Sequence, residues 1–299
     1  MIKSITVTNH QGETIDIDLH KPWETGLAVA SIDGLHPPNA HINSTELSSM
    51  DGSVYNSARV VERNITAQFV LFNKDTIEQA RHILYKYFPV KKPIRFEVHT
   101  DERDAYTIGY VESNTVGIFS NMESASISLI CPDPYFYSIQ DVSTPLNDVV
   151  GGFEFPFENP VGTESLTFGE LSVTGPVDIV YEGDTPVGID IDIHATGEVG
   201  NLRIYSMTTN QEILIDVTKL AAKTGQGIVA GDNIHICTVT GKKEVTLTRA
   251  GVKYNILSCV SRETGWIRLE KGDNIIVYSA VGIQNAQIYV TNKLIYEGI

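Results

Sequence analysis

The sequence predicts a mainly β protein with a small α+β part: an N-terminal antiparallel β domain with one docked helix, then a C-terminal β-sandwich. Three observations lead there. Apolar and polar residues alternate along most of the chain, as half-buried strands require. One stretch instead sets Ile77, Ala80, Leu84 and Phe88 at helical intervals, and the period returns to two after Pro93. From Tyr181 onward, short alternating runs recur at regular spacing with turn residues between them, which suggests two packed sheets or a jelly roll.

Each element follows from its residues. Ile5 and Val7, then Ile15, Ile17 and Leu19, flank the polar turn NHQG and read as a β-hairpin. Asp16 and Asp18 share one face there, but calcium takes six to eight oxygens, so a solvated strand face accounts for them. From Gly34 to Ser57 the pattern vanishes among Pro, Asn, Ser and Gly. A patternless segment of that length reads as an extended arm that takes its order from a neighbouring subunit. Val61 to Leu71 resumes alternation through Ile65, Ala67 and Phe69. Asp75 and Glu78 stand at capping-box spacing ahead of the helix, which Pro89 stops. Ile94, Phe96 and Val98 then alternate with Arg95, Glu97 and His99. The acidic turn TDERDA leads into a strand over Tyr106 to Val111, and Ser124 to Ile130 supplies another.

Ser138 to Tyr181 is a break in composition, with Phe153, Phe155 and Phe157 among Gly and Pro. It reads as a connector with short strands whose aromatic cluster packs at the boundary between domains. The expected division is 1–140, a connector over 141–180, and 181–299. In the last part, strands are expected around Ile189 to Ile193, Leu202 to Ser206 and Ile213 to Val217. After a spacer, KLAAKTGQGIVAGDN, further strands follow at Ile234 to Val239, Val245 to Thr248, Tyr254 to Leu257, Ile275 to Tyr278 and Gln287 to Val290.

Composition removes several classes of function. The 299 residues carry a net charge of -15, which opposes wrapping of duplex nucleic acid or docking on an anionic membrane. The opening MIKSITVTNHQGETIDIDLH has no apolar core of the secretory kind, and no run of apolar residues reaches bilayer-spanning length. Cys131, Cys237 and Cys259 are odd in number and far apart, as reduced thiols of a protein made in a cytoplasm would be.

No catalytic, cofactor-binding or metal-binding residue is predicted. Gly225 to Ala230, GQGIVA, fits a dinucleotide fingerprint in letters only; that motif needs a helix opening on the glycines, and here a strand follows. The histidines are scattered, and His36 and His41 share the arm with no cysteine nearby. No G-x-S-x-G elbow occurs. Asp190 with Glu270 is a carboxylate pair whose separation the sequence does not supply. Trp266, beside Ile267 at a strand start, reads as core rather than as a platform for a sugar ring.

Three long runs carry a family resemblance. STELSSMDGSVYNSARVVERNI, RHILYKYFPVKKPIRFEVHTDERDAYTIGYVESN and SASISLICPDPYFYS, in that order over about the first 140 residues, resemble the N-terminal domain of siphophage distal tail proteins. LTRAGVKYNIL and GWIRLEKGDNIIVYSA are similar to that family's galectin-like C-terminal domain. The resemblance implies a ring, usually hexameric, that serves as baseplate hub at the tip of a non-contractile tail. Implied partners are the tail tube protein, tail-associated adhesion and tape-measure components, and receptor-binding proteins. Neither specific nucleic-acid binding nor membrane insertion is expected. The implied location is the virion, after synthesis in the bacterial cytoplasm. Glu62 and Arg63, at the arm's exit, are expected to make polar contacts at or near the subunit seam. The alternative is a host-surface carbohydrate-binding module acting through the sandwich; family members that bind cell-wall sugar often carry an inserted module, and this chain has only a short connector.

Overall fold

Alternation becomes strand almost wherever the sequence shows it. The computed structural model describes residues 1–48, 51–71, 76–117, 123–151, 169–172 and 175–299. They form two compact units: Met1–Ile139 with Ile295–Ile299, and Gln140–Leu294.

The first unit opens with the expected hairpin, β1 (Ile2–Thr8) and β2 (Thr14–Asp18). Its register sets Ile5 opposite Ile17 and Val7 opposite Ile15, and Ile5, Val7 and Ile17 are buried. Asn9 Oδ1 closes the turn by accepting the backbone N–H of Gln11 and of Glu13. A single helical turn, α1 (Pro22–Thr25), leads to β3 (Leu27–Asp33), β4 (Ala40–Glu46), β5 (Ser53–Val60) and β6 (Arg63–Leu71). Helix α2 (Ile77–Tyr87) precedes β7 (Pro93–Thr100), β8 (Asp104–Val116), β9 (Ser124–Cys131) and β10 (Phe136–Ser138). The main sheet runs β2-β1-β7-β8-β9-β6-β3, all neighbours antiparallel. Alternate residues of β6 (Ile65, Ala67, Phe69) and of β7 (Ile94, Phe96, Val98) point into its core.

Helix α2 docks by the apolar stripe read in the sequence, with Ala80, Leu84 and Phe88 buried and the Phe88 ring 5.7 Å from that of Phe69. Its cap lies one residue later than expected: Thr76 Oγ1 accepts the Gln79 N–H at 3.2 Å, and Asp75 lies outside the described residues. At the other end Asn114 Nδ2 donates to the Phe88 carbonyl and to the Leu84 carbonyl, which also accepts the Phe88 N–H.

The second unit begins with β11 (Val142–Pro145), β12 (Asp148–Gly151), β13 (Gly169–Ser172), β14 (Val177–Tyr181) and β15 (Val187–Gly188). It continues with β16 (Asp190–Ala195), β17 (Leu202–Ser206), β18 (Gln211–Ile215), α3 (Val217–Thr224), β19 (Asn233–Cys237), β20 (Glu244–Arg249) and β21 (Val252–Asn255). Strands β22 (Arg268–Leu269), β23 (Gly272–Ser279) and β24 (Ala286–Asn292) close it. A final short strand, β25 (Ile295–Tyr296), belongs to the first unit. The two main sheets of the second unit run β11-β24-β16-β19-β20-β21 and β14-β23-β17-β18. Their buried rows, among them Ile191, Ile193, Ile234, Ile236, Ile288 and Val290 from one and Ile179, Leu202, Ile204, Ile213 and Ile276 from the other, supply its core.

Two readings change and a third is not reached. The start of the spacer, KLAAKT, is helical: Asp216 caps α3 by accepting the Thr218 and Lys219 N–H groups, and Gly225 ends it in the left-handed region at φ 86°. In eight residues it buries Leu220 alone, so no apolar stripe announced it. Strand β11, inside the expected connector, pairs with β24 and so belongs to the second unit's sheet. Phe153, Phe155 and Phe157 lie outside the described residues.

Candidate functional site: an exposed ribbon and its buried root

The segment read as a patternless arm is a two-stranded antiparallel ribbon, β4 with β5. Every residue of both strands is exposed. Low contrast between apolar and polar letters hid it, because a ribbon with no core behind it gives alternation little to record.

The ribbon nevertheless has two different faces. Partners across an antiparallel pair share a face. Ala40 pairs with Val60, Ile42 with Ala58, and Ser44 with Tyr55. Between the last two pairs the register shifts, so that Asn56 is an extra residue on β5. Without that bulge, strict alternation would set Tyr55 on the face opposite Val60 and Ala58. With it, Ala40, Ile42, Tyr55, Ala58 and Val60 form one row, interrupted by Ser44 and ending at Glu46 and Ser53. The other face carries His41, Asn43, Thr45, Ser57 and Arg59, with Val54 its apolar member. Ile42 and Tyr55 are each 63% exposed. Asn56 Nδ2 donates to Thr45 Oγ1 at 2.6 Å and holds the bulge.

The root of the ribbon is its physical opposite. Arg63 is 3% exposed. Its Nε donates to Pro134 O at 2.6 Å, Nη1 to Gly34 O at 2.5 Å and His36 O at 2.6 Å, and Nη2 to Glu297 O at 2.6 Å. The guanidinium also lies over the Phe136 ring, 4.5 Å from its centroid. Burial pushes the Arg63 pKa down from the ordinary arginine value. One side chain thus holds the strand leading into the ribbon, the strand leaving it, the CPDP turn and a segment from the far end of the chain. Gly34, at φ 88°, permits this: a Cβ there would stand 2.1 Å from Asn64 O. Glu62 and Arg63 were expected to make polar contacts at or near the subunit seam; Arg63 donates to carbonyls inside the unit, and Glu62 is exposed.

The remaining sequence candidates separate. His41 is on the ribbon, and His36 Nδ1 lies 2.9 Å from Pro37 O. Gly225 ends a helix rather than opening one, which removes the dinucleotide reading of GQGIVA. Asp190 Oδ1 lies 3.8 Å from His235 Nε2, whereas Glu270 flanks the β22–β23 turn, its N–H donating to Asn274 Oδ1. Trp266 is half-buried rather than core, because the two-residue strand β22 begins after it, and Lys243 Nζ lies 5.1 Å from its ring centroid. Among the described residues no group of three His, Cys, Asp or Glu side chains could hold a metal ion, and no helix is long and apolar enough to cross a membrane.

One cluster was not foreseen. On the outer face of the six-stranded sheet, Asp192, His194, Asn233, His235, Thr248 and Tyr289 help to line a shallow depression of about 250 Å3. His235 Nδ1 lies 2.8 Å from Asp192 Oδ1, and His194 Nδ1 lies 2.8 Å from Asn233 Oδ1. Period-two letters place these residues on one face, but only the pairing of β24, β16, β19 and β20 brings them side by side.

Residues 24–131, which contain the ribbon and its root, match the family described as phage tail protein RIFT-related domain. This stretch is similar to that phage tail domain. The resemblance to siphophage distal tail proteins read from the sequence is borne out by that match and by the fold. The SPP1 Dit (gp 19.1) protein, described as a paradigm of the hub adsorption apparatus in phages infecting Gram-positive bacteria, aligns with TM-score 0.64 at 13% identity, covering 98% of this chain and 100% of its own. A chain of the phage p2 baseplate in its activated conformation with Sr aligns with TM-score 0.50 at 13% identity, covering 97% of each chain. At such identity the likeness is one of fold. No curated protein matches the chain in sequence. The matched stretch thus contains both the most exposed strands of the first unit and its most thoroughly buried arginine.

Proposed function

We propose that this chain is a structural virion protein that forms the distal tail ring, or baseplate hub, of a siphophage or prophage tail. In this reading the first unit builds a hexameric ring, and the second, which takes in β11 and β14 of the expected connector, forms a galectin-like sandwich. The ring joins the tail tube protein to tail-associated adhesion and tape-measure components and to receptor-binding proteins. Its work is done by shape, and it is not an enzyme.

The observation that carries this reading is the ribbon with one apolar row and nothing of its own fold behind it. A two-stranded ribbon alone is marginal in water. Burying side chains such as Ile42, Tyr55 and Val60 is worth roughly 2 kcal/mol each, so the row gains stability where a neighbouring copy covers it. A head-to-tail contact of this kind closes into a ring when the rotation between copies divides the circle. The likeness to SPP1 Dit and to the phage p2 baseplate supports the same assignment. Light scattering on the purified chain at tens of micromolar, in moderate salt, tests it: a closed oligomer is expected, and a strict monomer overturns it.

A second reading has its own observation. The depression beside Tyr289 combines an exposed aromatic ring with His and Asn groups whose orientation is already fixed by hydrogen bonds, an arrangement suited to a sugar ring. Cell-wall glycan binding that is lost in Tyr289→Ala but kept in Trp266→Ala would support it, and absence of binding would remove it.

A further inference from the structure

Residues Ile295–Ile299 lie far down the chain from every other part of the first unit, yet they belong to it. They enter as an added strand: β25 pairs with β10, Tyr296 opposite Phe136 and Ile295 opposite Tyr137, and both side chains are buried. Beyond the strand each residue is fixed to the ribbon's root or to its surroundings. Glu297 O accepts from Arg63 Nη2 at 2.6 Å, and Gly298 O accepts from Arg103 Nη1 at 2.9 Å. The Arg103 guanidinium lies 4.4 Å from the Tyr296 ring centroid. The Ile299 N–H donates to Leu35 O at 3.0 Å. Gly298 sits so close to the strand leading into the ribbon that a Cβ would be 3.0 Å from Pro37 Cδ and 3.1 Å from Leu35 O.

We infer that the first unit carries a strand-accepting groove at the ribbon's root, and that segment 295–299, by filling it, sets the ribbon for assembly. The physical reason is the shared clamp. Leu35 and Pro37 lead into β4, Val61 leaves β5 with its N–H on Asn39 O at 3.1 Å, and Arg63 binds both sides together with the segment. With the groove empty, a buried guanidinium loses one acceptor, Leu35 O loses its donor, and β10 loses an edge partner. The rest of the sheet keeps its ladders. A chain is made from its N-terminus, and domains ordinarily fold as they emerge. This groove cannot fill until segment 295–299 has emerged, so a chain that lacks the segment has a loose ribbon and stays out of the ring. The inference rests on the ring reading above for its consequence, but not for its geometry.

The test compares the full chain, a chain ending at Leu294, and the full-length variant Gly298→Val, by amide exchange and light scattering. In both altered chains, exchange over residues 34–46 and 53–62 should be on the order of ten- to hundredfold faster, as the loss of a hydrogen bond to a charged group implies. Protection in β9 and in the second unit should stay within about twofold, since changes away from such contacts are small, and neither altered chain should form the oligomer. Unchanged exchange at the root, loss of protection throughout the first unit, or normal assembly of the chain ending at Leu294 would each overturn the inference. A full chain that never oligomerises defeats the ring reading alone, because exchange at the root still decides whether the segment sets it.

Discussion

The ribbon and its root are neighbours in sequence and obey opposite rules. Along β4 and β5 every residue is exposed, and the strands hold by pairing with each other. Three residues beyond β5, Arg63 is sealed in and donates to four backbone carbonyls. On the proposed ring reading the ribbon gains stability from the copy that covers its apolar row, whereas the root is complete within one chain. That division suits an assembly part: the base must be rigid before the partner arrives, and the adhesive row must stay open until it does.

The comparison breaks first at Arg63. Arg63→Ala leaves four carbonyls without their donor and removes the cation over Phe136. We expect the first unit to lose about 3 kcal/mol or more, in line with several unsatisfied buried groups. Urea unfolding followed by exchange in β6 measures it, and a loss below about 1 kcal/mol would show that the root is not the anchor described. Substitution on the ribbon should behave in the opposite way. Ile42→Asp with Tyr55→Asp should leave the isolated chain within about 0.5 kcal/mol of its starting stability, as exposed positions do. Assembly should weaken by about tenfold or more per site, since each side chain forfeits roughly 2 kcal/mol of burial. Sedimentation of the variant decides it, and an intact oligomer would mean that the apolar row faces no partner. Removing Asn56 sharpens the point. Deletion removes the extra residue and leaves a simple alternation in which Tyr55, still opposite Ser44, shares a face with Ala58 and Val60, so assembly should be kept. If the deletion stays folded but no longer assembles, the bulge itself, and not the apolar row, is the adhesive element.

Much of the fold was legible because burial writes a period into the letters. Helix α2 and strands β6, β7 and β9 were placed by Leu84, Phe69, Phe96 and Leu129, each of which faces the core. The ribbon was not placed, because exposure on both faces leaves no period to read. The bulge is worse still for sequence reading, since Asn56 shifts parity and scatters the apolar row across odd and even positions. Helix α3 escaped for want of length and stripe. Of the candidate site, the loss of pattern from Gly34 to Ser57 carried the arm's location. Arg63 and segment 295–299 lie too far apart in the chain for any local pattern to join them. A lone arginine at the start of an alternating run looks like a surface residue until the carbonyls around it are seen.

The smallest of these effects concerns the partner of Arg63 across the sheet. Arg63 stands opposite Cys131 in the β6–β9 register, and the Cys131 side chain is fully buried. Burial pushes that thiol up from 9.0 to about 11, against a smaller opposing pull from the nearby guanidinium. A raised value favours the protonated thiol in the folded state, so its contribution to stability is intact below about pH 9 and is lost as pH rises towards 11. At pH 10 the loss should be about 1 kcal/mol relative to neutral pH. Cys131→Ala should flatten that part of the pH profile, even though the cavity it leaves lowers stability overall. Alkylation of the native chain at pH 8 should spare Cys131 and proceed only on unfolding, because a buried, protonated thiol is a poor nucleophile. Rapid modification under native conditions would show that the root opens far more often than its hydrogen bonds allow, and the contrast between a closed root and an open ribbon would fail with it.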